Sequence, residues 1–170
     1  AIERVIRTSI DWALTKDIEA LYSCFAQDST FFIFHPDSES TIVGFEAFRR
    51  LAAEVFMNPK FKALDSRFED VRIHVAPSGE TAWFSCLLDD HGEWDGRPTG
   101  WDDARWTGVL EKRGGRWVIV QMHFSLASDA VEARVRGGGR FAALGGPYLG
   151  QKPPGATPEL FAPNLVSGAA

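Results

Sequence analysis

The chain of 170 residues is long enough for one domain that buries about two-thirds of its unfolded surface, so it needs neither a disulfide nor a metal to fold. Its formal charge of -5 is spread along the chain without a basic stripe, which argues against a nucleic acid partner. No apolar run reaches the roughly 18 residues of a membrane span, and no signal-peptide pattern opens the chain. We therefore predict a cytoplasmic protein whose partners are a small molecule or another protein, and neither nucleic acid nor membrane.

The first third of the chain alternates helical and strand patterns. Apolar residues recur at helical spacing over residues 2–13 and again over 18–25, which predicts two amphipathic helices. The run TFFIF at residues 30–34 is typical of a strand buried on both faces. A third helical pattern covers residues 45–56 and ends before Pro59, because proline cannot continue a helix.

From Phe61 onward the apolar period changes from helical to two, which is typical of strands. Turn sequences divide this region into four long antiparallel strands, and Gly114-Gly115 joins the last two. Helices and strands are therefore segregated along the chain, which predicts an α+β fold. We expect the sheet to curl over the helices and to leave a cavity between them.

The composition shifts toward glycine and proline from Ser128 to Ala170. We therefore predict a domain at residues 1–127 and a C-terminal extension at 128–170. Large apolar side chains in this extension, such as Phe141 and Tyr148, need a surface to pack against. The extension is expected to pack on the body of the domain or on a partner subunit.

Three segments carry a resemblance to a known family: KDIEALYSCFAQDSTFF at 16–32, GFEAFRRL at 44–51 and RWTGVLEKRGGRWVIVQMHFS at 105–125. They resemble the nuclear transport factor 2-like superfamily, in particular its polyketide-cyclase-like (SnoaL-like) branch. The resemblance covers residues 2–127. It implies a cone-shaped, cystatin-like α+β fold with three N-terminal helices packed on a curved antiparallel sheet. It does not decide the activity, because this fold hosts isomerases, dehydratases, cyclases and non-catalytic association domains.

The last strand also resembles that of another relative. Trp117, Val120, His123 and Ser125 match the pattern of the association domain of calcium/calmodulin-dependent kinases, which forms oligomers and is not an enzyme. The resemblance therefore leaves two interpretations open, a pocket enzyme and an assembly module.

The isomerase site that the resemblance implies is incomplete. Ketosteroid-isomerase-type members place a carboxylate before a proline after the first strand, a tyrosine in the first helix and an aspartic acid in the penultimate strand. Here His35 precedes Pro36, the first helix has no tyrosine, and Thr107 stands near the position of the second acid. His35 either replaces the base, because imidazole titrates near neutrality, or bonds to solvent and the following loop.

Strict alternation divides the last strand into two faces. Val118, Val120, Met122 and Phe124 are predicted to face the helices, and Trp117, Ile119, Gln121, His123 and Ser125 to face outward. By register with the isomerase pattern, Phe124 then lines the cavity, together with Met122. A half-polar outer face suits a symmetric interface. We therefore predict that Gln121, His123 and Ser125 lie in a homodimer interface.

The same register assigns cavity-facing residues to the two preceding strands. These are Trp83, Ser85, Leu87 and Asp89, and then Arg105, Thr107 and Val109. Asp89 and Arg105 would form either a buried ion pair or a catalytic pair. In the catalytic case Arg105 stabilises an oxyanion while Asp89 or His35 moves a proton. The predicted ligand contacts are Tyr22, Trp83, Thr107, Met122 and Phe124.

The sequence suggests neither a metal nor a cofactor. Cys24 and Cys86 stand outside any CxxC or Cys/His cluster, which predicts buried free thiols. The acidic stretch DDHGEWDG at residues 89–96 matches no calcium loop, and we interpret it as a solvated hairpin loop.

These patterns predict a small-molecule enzyme or binder for a hydrophobic or aromatic, oxygen-bearing ligand. It would act without a cofactor, by proton transfer or dehydration in the manner of a lyase or isomerase. The alternative is a non-catalytic homo-oligomeric module like the kinase association domain, which the incomplete isomerase site favours.

Overall fold

The computed structural model describes residues 1–36 and 41–127. The predicted extension at 128–170 lies outside the described residues. Helix α1 spans Ile2–Thr15 and ends where Lys16 adopts a left-handed conformation with φ 55°. Helix α2 spans Ile18–Ser23, and the Asp17 side chain caps it by accepting a hydrogen bond from the backbone N–H of Ala20.

A short β-ribbon and a third helix follow. Strand β1 covers Phe32–Phe34 and pairs antiparallel with β2 at Ile42–Val43, which the sequence did not predict. Helix α3 spans Phe45–Leu51 and continues into a π-helical turn at Ala52–Phe56. Among the described residues, no helix is long and apolar enough to cross a bilayer.

Four long strands build most of the sheet. They are β3 at Phe61–Val75, β4 at Thr81–Trp94, β5 at Arg97–Arg113 and β6 at Arg116–Ser125. Each of them pairs antiparallel with the next strand along the chain, as the hairpin patterns predicted. Because β4 runs through to Trp94, the predicted loop at residues 89–96 is wrong; only Asp95 and Gly96 form the turn before β5.

The sheet has six strands in the order β2-β1-β6-β5-β4-β3 and is mixed, not wholly antiparallel. Strand β1 runs parallel to β6, with Phe32 opposite Gln121 and Phe34 opposite His123. A parallel pair needs a long crossover connection, which α3 and the three strands β3 to β5 provide here. The expectation of an antiparallel sheet was therefore wrong at this edge.

A β-bulge in β6 changes which residues face the helices. Val109 lies opposite Gln121 whereas Leu110 lies opposite Ile119, so Val120 is the extra residue. Ile119 is fully buried in the core. The predicted outward orientation of Ile119 was wrong, because strict alternation does not hold across a bulge.

The core lies between the helices and the face of the sheet toward them, called here the inner face. Trp106 is fully buried on this face and stacks on Phe124 at 5.5 Å between ring centroids, with 9° between the ring planes. The edge-to-face contact of Trp106 with Phe84 is closer, at 4.8 Å. Gly108 leaves room for that ring, because a Cβ there would lie 2.6 Å from Phe84.

Both cysteines are buried and free, as predicted. Burial raises the pKa of Cys24 and of Cys86 to about 11. Both thiols therefore stay protonated at neutral pH and act as small core residues.

Candidate functional site

A cavity of about 220 Å³ lies between the helices and the inner face of the sheet. Most of its walls are apolar, and they include Trp12, Phe25, Ile33, Phe48, Met122 and Phe124. Met122 and Phe124 thus stand where the sequence placed them, and their role in ligand binding stays a prediction. An apolar cavity with few polar groups is the usual form of a small-molecule site.

Asp90 brings a carboxyl group into the wall of this cavity. It lies on β4, opposite Ser66 of β3 and Trp101 of β5. No hydrogen bond or ion pair joins its side chain to another residue in the part of the chain that the structure describes. An unpaired carboxyl group at an apolar wall costs stability and is therefore a candidate functional group.

The surroundings of Asp90 bring its titration close to neutral pH. Burial raises the pKa of Asp90 to about 6, because the charged form loses hydration. The charge of His91 lowers the pKa of Asp90, whereas the carboxylates of Asp11 and Asp65 raise it further. Both protonation states of Asp90 are thus accessible near neutral pH, as an acid–base group requires.

Gly100 positions the backbone of Asp90. Its φ of 130° lies in a region that residues with a side chain rarely adopt, and a Cβ there would lie 2.1 Å from the Asp90 carbonyl oxygen. The close approach of β5 to β4 at this point therefore requires glycine.

His35 follows β1 and also lines the cavity. Its ring lies 5.6 Å from that of Phe124 and 6.0 Å from that of Trp101, measured between centroids. Trp101 is also the residue opposite Asp90 on β5. His35 and Asp90 therefore both neighbour Trp101, and the role of His35 as a base stays a prediction.

Asp89 faces away from the cavity. Its carboxylate accepts hydrogen bonds from the Arg67 Nε at 2.9 Å and from the backbone N–H of Asp103 at 2.8 Å. The bond from Asp103 is the main reason why the pKa of Asp89 is lowered. The predicted pair of Asp89 with Arg105 was wrong, because Arg67 on β3 is the partner of Asp89.

Arg105, Thr107 and Trp83 lie on the outer face of the sheet, not in the cavity. Arg105 is opposite Ser125 and Thr107 is opposite His123, and residues paired across antiparallel strands share a face. Trp83 stacks on His74 at 5.8 Å between ring centroids. The expectation that these three residues line the cavity was wrong. The predicted inward-facing positions on β4 and β5 were shifted by one residue, and such a shift moves a side chain to the other face.

Tyr22 also lies outside the wall of the cavity. Its ring packs edge-to-face against Phe45 at 5.3 Å between centroids, while its neighbour Leu21 lines the cavity. The predicted position of Tyr22 in the wall of the cavity was therefore wrong, because adjacent helical residues point in different directions.

His91 links three strands beside the site. Its Nδ1 lies 2.8 Å from Asp65 Oδ1 on β3, and its Nε2 lies 2.8 Å from Asp102 Oδ1 on β5. The hydrogen bonds to Asp102 and Asp65 raise the pKa of His91 to about 9. Within residues 1–36 and 41–127, no group of histidine, cysteine, aspartate or glutamate side chains could hold a metal ion, and this includes His91 with Asp65 and Asp102.

The sequence contained a signal for Asp90 that the strand assignment did not use. Ala82, Phe84, Cys86 and Leu88 form an uninterrupted apolar series at every second position, and Asp90 is its next member. The alternative series, which the register with the isomerase pattern selected, contains Trp83 but also Ser85 and Asp89. Continuity of the apolar series predicts the inner face better than that register.

We expect Asp90→Asn to stabilise the fold at alkaline pH and to have little effect in acid. The folded-state pKa of about 6 is above the ordinary value of 3.8. The contribution of Asp90 to the free energy of unfolding is therefore fully present below pH 3.8, where its carboxyl group is protonated. It is lost as the pH rises through 6. Urea unfolding should show a gain of about 1–2 kcal/mol at pH 8 and almost none at pH 4.

Asp95→Asn is the matched control for this measurement, because Asp95 lies in the exposed turn between β4 and β5. It should change the free energy of unfolding little at either pH. A gain from Asp90→Asn that is equal at pH 4 and pH 8 would contradict the unpaired buried carboxylate.

The fold and the cavity define the class of protein. Helices that cover one face of a six-stranded mixed sheet, with a cavity between the two layers, form an NTF2-like fold. The model of the SnoaL-like domain family matches residues 2–129, so the chain belongs to that family. No match was found among curated proteins.

Solved structures show the same fold at low sequence identity. An NTF2-like protein of unknown function from Pseudomonas putida KT2440 is 17% identical, with a TM-score of 0.58 over 75% of this chain and 85% of that one. An NTF2-like protein from Streptomyces avermitilis, provisionally assigned as a dehydratase, is 18% identical, with a TM-score of 0.60 over 75% and 94%. The association domain of C. elegans CaMKII is 21% identical, with a TM-score of 0.55 over 74% and 92%.

Proposed function

We propose that the protein is a small-molecule enzyme or binder whose ligand occupies the cavity and exchanges a proton with Asp90. The unpaired Asp90 carboxyl group in an otherwise mainly apolar wall is the observation that carries this proposal. The provisional assignment of the Streptomyces avermitilis relative as a dehydratase agrees with chemistry of this kind.

The proposed chemistry needs no oxidant and no cofactor. Asp90 as a carboxylate accepts a proton from a carbon of the ligand. As the acid, it then returns a proton either to another ligand carbon, which is an isomerisation, or to a hydroxyl group that leaves as water, which is a dehydration. Either sequence returns Asp90 to its starting state. His35 also lines the cavity and would be a second polar contact of the ligand.

Deuterium exchange into phenylacetone tests this chemistry. An engineered cavity of about 150 Å³ admits benzene, so 220 Å³ should accept a ring with a short neutral substituent. We expect the protein to accelerate loss of the α-proton signals in D2O, followed by proton NMR. Asp90→Asn should slow the exchange by about 100-fold or more, because general base catalysis of this kind contributes at least that factor.

Asp95→Asn is again the control and should exchange at the wild-type rate. If wild type and Asp90→Asn exchange phenylacetone at the same rate, Asp90 does not transfer the proton. A ligand-dependent rise in melting temperature without any exchange would support a binder and exclude this enzymatic step.

Apolar side chains exposed on the outer face of the sheet support a second candidate function, homo-oligomeric assembly. Phe34, Val43 and Trp83 are exposed there by 49%, 66% and 48%. His123 contacts Phe34 at 5.9 Å between ring centroids, and Gln121 and Ser125 lie on the same face. The polar residues of β6 lie between Phe34 on β1 and Trp83 on β4, and exposed apolar side chains mixed with polar groups in this way suit an interface. The CaMKII association domain, a structural neighbour, has the same fold.

We expect a homodimer that Trp83→Ala weakens by about 30-fold or more, because a tryptophan that is an interface hot spot contributes at least about 2 kcal/mol. Sedimentation equilibrium over a range of concentrations measures the dissociation constant. Leu14→Ala is the matched control, since Leu14 is 49% exposed on α1, in the helical layer. A monomeric wild type, or equal dissociation constants for both variants, would overturn the assignment of this face.

A further inference from the structure

Carboxylates outnumber cations in and around the cavity wall. Asp90 and His91 both line it, and within residues 1–36 and 41–127 no lysine or arginine does. Lys16 is adjacent to the lining residue Phe61 but donates from Nζ to the backbone carbonyls of Asn58 and Phe61, at 3.0 and 2.7 Å. Arg7 is held by Glu3 at 2.9 Å. An anionic ligand would therefore meet the Asp90 carboxyl group beside an imidazole, that of His91, whose two nitrogens are already bonded to carboxylates.

The groups around Asp90 add to this negative field. Asp11 accepts a hydrogen bond from Ser66 Oγ at 2.5 Å, and Ser66 lies opposite Asp90 on the neighbouring strand. The nearby imidazole of His91 is bonded to two carboxylates, those of Asp65 and Asp102. Even a protonated His91 leaves this group of three with a net negative charge. Such a field attracts cations into the site and opposes the entry of anions.

We propose that the cavity selects a small amine that carries a ring, bound as its ammonium ion against the Asp90 carboxylate. This rests on the proposed function, because it assigns the ligand class of the same cavity. The ammonium group supplies the ion-pair partner that Asp90 lacks among residues 1–36 and 41–127. The ammonium group donates hydrogen bonds to the Asp90 carboxylate and holds the ligand in the cavity.

The aromatic wall fits such a ligand in two ways. Trp12 and Trp101 both line the cavity, and tryptophan is the aromatic residue that attracts a cation most strongly. The remaining apolar residues, such as Phe48 and Phe56, accommodate the ring. The cavity volume of about 220 Å³ limits the ligand to one ring with a short chain.

Three probes with one carbon skeleton test the charge preference: 2-phenylethylamine, 2-phenylethanol and phenylacetate. Dissociation constants at pH 7.5 can be measured by tryptophan fluorescence, because Trp12 and Trp101 line the cavity. We expect the amine to bind about tenfold or more tightly than the alcohol, since a hydrogen bond between charged partners is stronger than one to a neutral group. Phenylacetate should show no saturable binding.

Asp90→Asn should bind the amine and the alcohol with equal affinity, whereas the control Asp95→Asn should keep the wild-type preference. Equal affinities in the wild type, or an amine preference that survives Asp90→Asn, would overturn the amine assignment but leave the proposed function in place. Failure of all three probes to bind the wild type would overturn both. The wild-type comparison alone decides the question if Asp90→Asn does not fold.

Discussion

Replacement of Trp106 by alanine is expected to lower the free energy of unfolding by about 4 kcal/mol, the usual cost of deleting a fully buried tryptophan. Trp106 is 0% exposed and contacts the rings of Phe68, Phe84 and Phe124. Its removal leaves a void beneath Phe124, which is itself a wall of the cavity. The loss can be measured by urea unfolding at 25 °C, and ligand binding should weaken with it.

Trp94→Ala is the matched control, because Trp94 is 37% exposed near the end of β4. It should cost about 1 kcal/mol or less, as surface substitutions usually do. Trp106→Phe adds a second comparison. The indole Nε1 of Trp106 is buried and has no hydrogen-bond partner among the described residues, so phenylalanine removes an unsatisfied donor. We expect this variant to retain more than half of the stability that alanine loses. Equal losses for Trp106→Ala and Trp94→Ala would contradict the central position of Trp106.

Gly100→Ala is expected to destabilise the fold by about 3 kcal/mol and to impair the site at the same time. The added methyl group would overlap the Asp90 carbonyl oxygen, because the Cβ position is only 2.1 Å away. Relief of this overlap has to move β5 away from β4, and the Asp90 carboxyl group moves with its backbone. Urea unfolding and the affinity for 2-phenylethylamine measure the two effects.

Gly79→Ala separates backbone strain from steric overlap. Gly79 also has a positive φ, of 72°, but no atom lies within 4 Å of its Cβ position. We expect this control to cost about 1–2 kcal/mol, from the left-handed conformation alone, and to leave ligand affinity unchanged. If the two variants lose the same stability and keep the same affinity, the close approach of Gly100 to Asp90 does not position the site.

Much of the architecture could be predicted from local patterns. The helical spacing of apolar residues in α1 and α2, and the turn at Gly114-Gly115, depend on short-range physics that the sequence shows directly. The resemblance to the SnoaL-like branch was confirmed over residues 2–129. The parallel pairing of β1 with β6 was not predicted, because it joins segments far apart in the chain.

The site was harder to predict, because strand residues change faces with each step. Asp89 and Asp90 are neighbours in sequence, yet Asp89 bonds to Arg67 on the outer face and Asp90 lines the cavity. Met122 and Phe124 were placed on the inner face by the apolar series of β6. Arg105 and Thr107 were wrongly predicted on the same face, although their pairing with Ser125 and His123 puts them on the face already predicted to be outward.

The sequence by itself thus determined the order and type of most elements and an apolar inner face for β6, because these depend on periodicity and on turn chemistry. Only the tertiary structure decided which carboxyl group faces the cavity and which basic residues stay away from it. The reason is that the register between strands and the bulge at Val120 arise from pairing across the sheet. A shift of one residue in the register of β4 would put Asp89 in the cavity in place of Asp90. The proposed function depends on that difference, because Asp89 is bonded to Arg67 whereas Asp90 has no such partner among the described residues.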